Sequence, residues 1–227
     1  MLSLRHVWHV MLFTLGVYAL SWFKISFVIG SQLGAFSLAH CLAPLVGIFA
    51  GGMGALLYFA IKTTMSLCSV KSVIFACHLP TLAAALYLSC IHTTQYTISF
   101  GKKLLLAIIP ATAILIFCTH TIGCQAWGYS LFWLIPLAAI LLPHQNIALH
   151  LLGSTFTAHA VGSVVWLYTV PTMTATMWLN LIPVVVVERC LFATGMYLAY
   201  KLFNTIFSTP SLFTQLPTPS NLTSKEI

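Results

Sequence analysis

The chain has 227 residues, of which 60% are hydrophobic and only 5% are charged, and its mean hydropathy is +1.01. Soluble domains carry roughly a quarter charged residues, so this few charges cannot cover a water-facing surface. The composition excludes a soluble domain and predicts an all-α protein, a polytopic transmembrane helical bundle. The length allows about six to seven spans of roughly 20 residues each.

The formal net charge of +7 comes from nine basic residues against two acidic ones. In a soluble protein this excess would indicate nucleic-acid binding. Here seven of the basic residues stand singly or in one pair at the ends of apolar segments, where they set topology and meet anionic headgroups. We therefore expect the lipid bilayer as a partner and no nucleic acid. The seven cysteines, an odd number mostly within apolar segments, argue against a disulfide framework.

The first apolar run extends from Val7 to Phe23, after Arg5 and His6. Its Val17-Tyr18-Ala19 loosely resembles a signal-peptide cleavage site. We expect an uncleaved first span instead, because everything downstream is also apolar enough to be membrane-embedded.

The stretch Ile25–His40 is apolar but interrupted by glycine, serine and glutamine. It is neither a good span nor a good water-exposed loop. Non-helical backbone at membrane depth is tolerated only where protein or a cavity surrounds it. Two arrangements satisfy this requirement: a loop folded back over the mouth of the bundle, or a longer, kinked first helix.

The next three predicted spans are regular. They cover about Cys41–Ile61, about Ser72–Ile91, and a segment from Lys102 to about Cys118–Gly123. In the first of them Gly47, Gly51 and Gly54 recur at helical spacing, and such a small-residue face lets another helix approach closely.

Trp127–Leu142 is apolar but only about 16 residues long and is interrupted by Pro136. It is predicted as a short, tilted span or as a half-span. If it does not cross, the chain has six spans with both ends cytoplasmic, which the positive-inside rule favours by a small margin.

Asn146–Thr169 is long enough to cross but carries polar residues on two sides of the helix. His150 and Ser154 share one side, while His159 and Ser163 share the other. A helix with polar atoms on two faces is predicted to lie inside the bundle, away from lipid.

The last predicted span, Thr176–Phe203, carries Glu188 and Arg189 near its middle. A charge at bilayer depth costs on the order of 2.5–3.5 kcal/mol even on the gentlest insertion scales, which makes such residues functional hypotheses by default. Adjacent helical residues point about 100° apart, so we expect these two to make no good pair with each other. The other acid, Glu226, lies in the polar tail.

Each of the two charges therefore needs another partner. We expect His150 or His159 to hydrogen-bond Glu188, and backbone carbonyls or an anionic ligand group to meet Arg189. The predicted substrate-binding residues are Glu188, Arg189, His159, His150 and Asn180. The alternative for the charged residues is purely structural, with both locking helices together.

No motif of an enzyme or cofactor site is found. Cys118-Thr-His120-Ile-Gly-Cys124 resembles a metal cluster locally but lacks the spacing of a zinc site. Two acids in the whole chain leave little basis for carboxylate-dependent catalysis. We expect no metal, no cofactor and no enzymatic activity. The bundle should occupy residues 1–203, followed by a disordered polar tail, 204–227, rich in threonine, serine and proline.

The order of features in the first third resembles the membrane-embedded substrate-binding (S) components of energy-coupling factor vitamin transporters. The resemblance rests on a first span, the apolar loop Ile25–His40 and the glycine-rich APLVGIFAGGMGALLYF of Ala43–Phe59. It implies about six helices and a loop between the first two that covers an outward-opening substrate pocket. Trp127–Leu142 departs from that pattern. No vitamin-binding motif is present, so no binding residue is carried over.

The predicted function is to bind and help translocate a small polar solute across a bacterial inner membrane. The pocket would be formed by residues 25–40, 147–169 and 176–203. Because the chain has no nucleotide-binding motif, energising transporter subunits are the expected partners. Two alternatives remain open: a structural or assembly membrane protein without a ligand, and a thiol- or metal-dependent membrane enzyme.

Overall fold

The structure, a computed structural model, describes residues 4–27, 35–67, 74–92, 99–141 and 146–208. Apart from one two-stranded hairpin, the regular structure within these ranges is helical, which confirms an all-α bundle. The helices are α1 (Leu4–Leu20), α2 (Ala39–Leu42), α3 (Val46–Phe49), α4 (Gly51–Leu67), α5 (Ile74–His92), α6 (Phe100–Thr119), α7 (Trp127–Ser130), α8 (Leu134–Leu141), α9 (Ile147–Thr169), α10 (Ala175–Asn180) and α11 (Ile182–Ser208).

Four helical segments are long and apolar enough to cross a membrane: Phe100–Thr119, Gly123–Leu141, Ile147–Thr169 and Ile182–Ile206. Three shorter apolar helices accompany them, Val7–Leu20, Ala39–Phe49 and His78–Ile91. Large apolar side chains are exposed along these helices, for example Leu115 and Val187. A bundle with apolar side chains on its outside is suited to lipid, and the chain is an integral membrane protein.

Trp127–Leu142, predicted as a short or half-span, belongs to the longer segment Gly123–Leu141. Turns of 3₁₀ helix at Gly123–Ala126 and Leu131–Trp133 alternate with α7 and α8. The resulting 19 residues suffice to cross by length and composition. The prediction that both ends are cytoplasmic required that this segment does not cross. A segment long enough to cross therefore removes the basis of that prediction.

The described parts of the predicted loop 25–40 contain two short strands and the start of a helix. Two short antiparallel strands, β1 (Lys24–Phe27) and β2 (Ala35–Ser37), pair with each other, and the connection at 28–34 lies outside the described residues. The Leu38 N–H donates to the Phe23 carbonyl at 2.9 Å, which closes the hairpin at its base. The alternative of a longer, kinked first helix is therefore wrong, because α1 ends at Leu20.

The glycine face predicted for the second span is only partly present. Gly47 packs directly on the backbone of Ala85 in α5, where a Cβ would find no space. Gly51 has a φ of +68°, which favours glycine, and no packing neighbour lies against it. A helix break therefore occurs at Ala50–Gly51, between α3 and α4, and Gly51 serves that break instead of helix packing.

The core consists of two clusters of buried apolar side chains. The N-terminal cluster is formed by α1 to α5 with parts of α6, α8, α9 and α11, and it includes Phe13, Leu45 and Met196. The C-terminal cluster is formed by α6 to α10 with the start of α11, and it includes Phe117 and Trp178. Because Val10 and Phe13 are fully buried, α1 packs into the bundle.

Helix α9 lies at the centre of the bundle, which confirms the prediction from its two polar faces. In its spanning window 50% of the residues are buried, against 22% in α6 and in α11. The Ser154 hydroxyl donates to the carbonyl of Ala84 in α5 at 3.0 Å, and Gly153 leaves room for the Tyr87 hydroxyl. Its polar residues therefore contact other helices.

The end of the bundle also differs from the prediction. Helix α11 continues to Ser208, so residues 204–208, assigned to a disordered tail, are helical. The rest of that predicted tail, 209–227, lies outside the described residues.

Candidate functional site

Arg189 lies in α11 at the boundary between the two clusters. Val185, one turn before it, belongs to the C-terminal cluster, and Phe192, almost one turn after it, belongs to the N-terminal cluster. The residue is only 5% exposed. A permanently charged side chain is thus buried where two halves of the bundle meet, and its partners decide what it can do.

The first partner of Arg189 is Glu188. The Arg189 Nη2 atom lies 3.5 Å from Glu188 Oε2, so the two side chains do meet, although the expectation was only that they make no good pair. The 100° rule concerns the Cα–Cβ directions, and the long arginine side chain bends back toward its neighbour. The distance exceeds the roughly 2.7–2.9 Å of a charge-assisted hydrogen bond. Neither Nη2 nor Nε of Arg189 has a hydrogen-bond acceptor among the described residues.

Two aromatic rings flank the guanidinium of Arg189. Its Cζ lies 4.8 Å from the ring centroid of Phe192 and 5.2 Å from that of Phe36 in β2. The two rings are themselves 5.7 Å apart at 65°. A cation over an aromatic face gains about 0.5–1 kcal/mol when exposed and about 2 when desolvated. Phe36 thereby connects the hairpin to α11 over the charged group.

His40 in α2 extends this aromatic contact. Its ring centroid lies 5.3 Å from that of Phe36 and 6.0 Å from that of Phe192. Its Nδ1 lies 3.1 Å from the carbonyl oxygen and 3.2 Å from the nitrogen of Ser37, so the tautomer decides which group donates. The charge of Arg189 acts electrostatically on His40.

On the side of the C-terminal cluster, the charge of Arg189 acts on His159 and Tyr129. The rings of these two residues lie 5.4 Å apart, and the Tyr129 hydroxyl hydrogen-bonds Ser163. His159 Nε2 is buried without a hydrogen-bond partner in the described part of the chain. We call Arg189, Glu188, Phe36 and Phe192 the Arg189 group, and His159 is the further predicted site residue on which the charge of Arg189 acts.

The other two predicted site residues are not among the described contacts of Arg189. His150 is fully buried and precedes His159 by nine residues, about 13.5 Å along the axis of α9. Asn180 is exposed at the end of α10.

Two members of the Arg189 group, Phe36 and Phe192, were missed in the sequence. Phe192 follows Arg189 by three residues, and residues three apart are neighbours on a helix surface, so this contact had a signal. No signal in the sequence singled out Phe36. It comes from a distant hairpin whose direction across the bundle does not follow from any periodicity.

The cysteine- and histidine-rich segment 118–124 does not converge on one point. Cys118 Sγ lies 3.4 Å from Ser130 Oγ, while the His120 ring packs on Tyr168 at 5.1 Å. The Cys124 thiol donates to the carbonyl of Thr121. Within the described ranges, no three histidine, cysteine or acidic side chains are grouped so that they could hold a metal ion.

The chain matches no protein-family model, no curated protein sequence and no solved structure.

Proposed function

We propose that this integral membrane protein binds a small polar solute at the Arg189 group and helps to translocate it. The observation that carries the proposal is the buried guanidinium of Arg189, whose Nε has no acceptor among the residues that the structure describes and whose Nη2 is met by Glu188 at the long distance of 3.5 Å. A buried donor left unsatisfied costs about 1–3 kcal/mol, and more when it is charged. A carboxylate or phosphate group would supply acceptors in the two-pronged geometry that guanidinium prefers.

Two further contacts support this assignment. The ring of Phe36 lies on the guanidinium, so a solute reaching Arg189 has to displace the hairpin, which would act as a cover. The buried Nε2 of His159, from α9, offers a second polar group for the solute. The proposed pocket thus draws on the hairpin, α9 and α11.

Energy for translocation would come from partner subunits, because the sequence holds no nucleotide-binding motif. A division of labour of this kind, in a bacterial inner membrane, is what the resemblance to substrate-binding components of energy-coupling factor transporters implies.

The test is mass spectrometry of small molecules that co-purify with the detergent-solubilised protein. We expect a molecule with a carboxylate or phosphate group in the wild type, and its loss from Arg189→Met. Lys201→Met removes an exposed cation from the same helix and should retain it. Arg189→Lys, which keeps the charge, serves as a folding control and should retain less. The same small molecules at the same yield in all four proteins would contradict the proposal.

Transport is tested separately, by uptake of the identified molecule into cells that express the protein. We expect uptake to fall in Arg189→Ala and in Glu188→Gln, with membrane insertion checked in both. Uptake that survives both changes in inserted protein would rule out a transport role for this group. A protein partner that co-purifies with every variant, without any small molecule, would instead favour the assembly alternative.

A further inference from the structure

A cavity of about 130 Å³ lies between α1, α2, α4 and α5, beside β2. We call it the Lys62 cavity. Its lining residues are Val17, Ser21, Ser37, Ala39, His40, Ala43, Tyr58, Phe59, Lys62, His78, Thr81 and Leu82. Since liquid water occupies about 30 Å³ per molecule, the volume corresponds to about four waters. This is enough for a small ion with part of its hydration shell.

The polar lining of the Lys62 cavity combines one ammonium group with two imidazoles. Lys62 of α4, His78 of α5 and His40 of α2 all line it, and none of its described lining residues is acidic. Glu188, the acid in α11, lies beside Arg189 instead. A cavity with this lining favours an anion.

The histidines of the cavity are held in place by neighbouring groups. His78 Nε2 lies 2.9 Å from the Ser66 hydroxyl, and His40 Nδ1 lies close to the backbone of Ser37. Tyr58 precedes Lys62 by one helical turn, on the same face of α4. Groups that are already positioned bind a ligand at a lower entropic cost than groups that must first be ordered.

We propose that the Lys62 cavity binds a small oxyanion, a phosphate or carboxylate group, with Lys62 as its counter-charge and His40 and His78 as hydrogen-bonding partners. The ring of His40 also contacts Phe36 and Phe192, which lie on Arg189. If this oxyanion is also the solute that the protein moves, the inference rests on the proposed function, and the solute is a small anion. As a binding site, the cavity is independent of translocation.

Thermal unfolding of the full-length protein in neutral detergent tests this binding. At constant ionic strength, chloride is replaced stepwise by inorganic phosphate or, in a second series, by acetate. We expect a saturable rise in Tm in the wild type and in Lys201→Met. In Lys62→Met the apparent affinity should fall about tenfold or more, the loss that one charge-assisted hydrogen bond implies. Two results overturn the assignment when the lipid experiment described next is negative too. One is a wild-type Tm that rises with neither anion, and the other is an equal rise of Tm in Lys62→Met and Lys201→Met.

The phosphate group can belong to a free solute or to a lipid headgroup. The same unfolding measurement in phosphatidylcholine nanodiscs, with and without phosphatidylglycerol, distinguishes them. Stabilisation by inorganic phosphate in pure phosphatidylcholine identifies a free anion. Stabilisation by phosphatidylglycerol alone, lost in Lys62→Met, identifies a headgroup. If neither stabilises the protein, the cavity does not bind oxyanions.

A second variant protects the test against misfolding of Lys62→Met. His78→Gln removes one lining imidazole and leaves Lys62 in place, so it should lower phosphate affinity less than Lys62→Met does. Lys62→Arg keeps the counter-charge and should retain binding. Wild-type phosphate affinity in His78→Gln, with affinity lost in Lys62→Met only when that variant is unfolded, contradicts the site. The phosphate shift reports on this cavity, while co-purification with Arg189→Met reports on the proposed function, so either can fail without the other.

Discussion

Helix α11 carries two cations that make the same contact in two different surroundings. Arg189 lies 4.8 Å from the ring of Phe192, and Lys201 lies 5.5 Å from the ring of Tyr197. Twelve residues separate the two cations, about 18 Å along the helix. Lys201 is exposed, whereas Arg189 is 5% exposed and has a second ring, Phe36, above it.

Burial changes how much the same cation–aromatic contact contributes to stability. Near a helix end, an exposed lysine meets headgroups and water, and its aromatic neighbour adds little. In the interior, the guanidinium of Arg189 must be compensated by the protein or by a ligand. The rings and Glu188 compensate it in part, and through Phe36 they also join the hairpin to α11.

The largest expected effect comes from removing each cation in turn. Arg189→Ala breaks a buried ion pair and two cation–π contacts, and should lower the free energy of unfolding by about 3–5 kcal/mol. Lys201→Ala should change it by no more than about 0.5 kcal/mol, as for most surface positions. Equilibrium SDS unfolding in mixed micelles measures both. Similar losses at the two positions would show that the buried site has no special energetic role.

A smaller effect is expected when charge is kept and shape is changed. Arg189→Lys retains the positive charge but loses the flat guanidinium that lies against two rings, and should cost about 1–2 kcal/mol. The matched control is Lys201→Arg, which should be neutral within about 0.5 kcal/mol. The same SDS titration compares them. If Arg189→Lys is as stable as the wild type, charge alone accounts for the site.

The smallest effects come from the rings. Phe36→Leu should cost about 1 kcal/mol, and a double-mutant cycle with Arg189→Lys should give a coupling of about 0.5–1 kcal/mol. Tyr197→Leu in a cycle with Lys201→Ala should show almost no coupling, because solvent screens that pair. Zero coupling for Phe36 and Arg189 would mean that the hairpin covers the charge without stabilising it.

Several elements follow from the sequence by itself. The composition determines the membrane class, since 5% charged residues cannot form a water-facing surface. The two polar faces of α9 place it inside the bundle, because polar atoms against lipid are costly. The depth of Arg189 follows from its position in an apolar span, and its neighbour Phe192 from helical spacing.

Other elements depend on tertiary structure. Glu188 and Arg189 pair because the arginine side chain bends, which the backbone direction of adjacent residues does not reveal. Gly51 breaks a helix where its spacing indicated packing, and Phe36 reaches Arg189 from a hairpin distant in the chain. Periodicity describes which face of an element is apolar, but it carries no information on rotamers or on contacts between distant segments. Those contacts decide which partners the buried charge of α11 has.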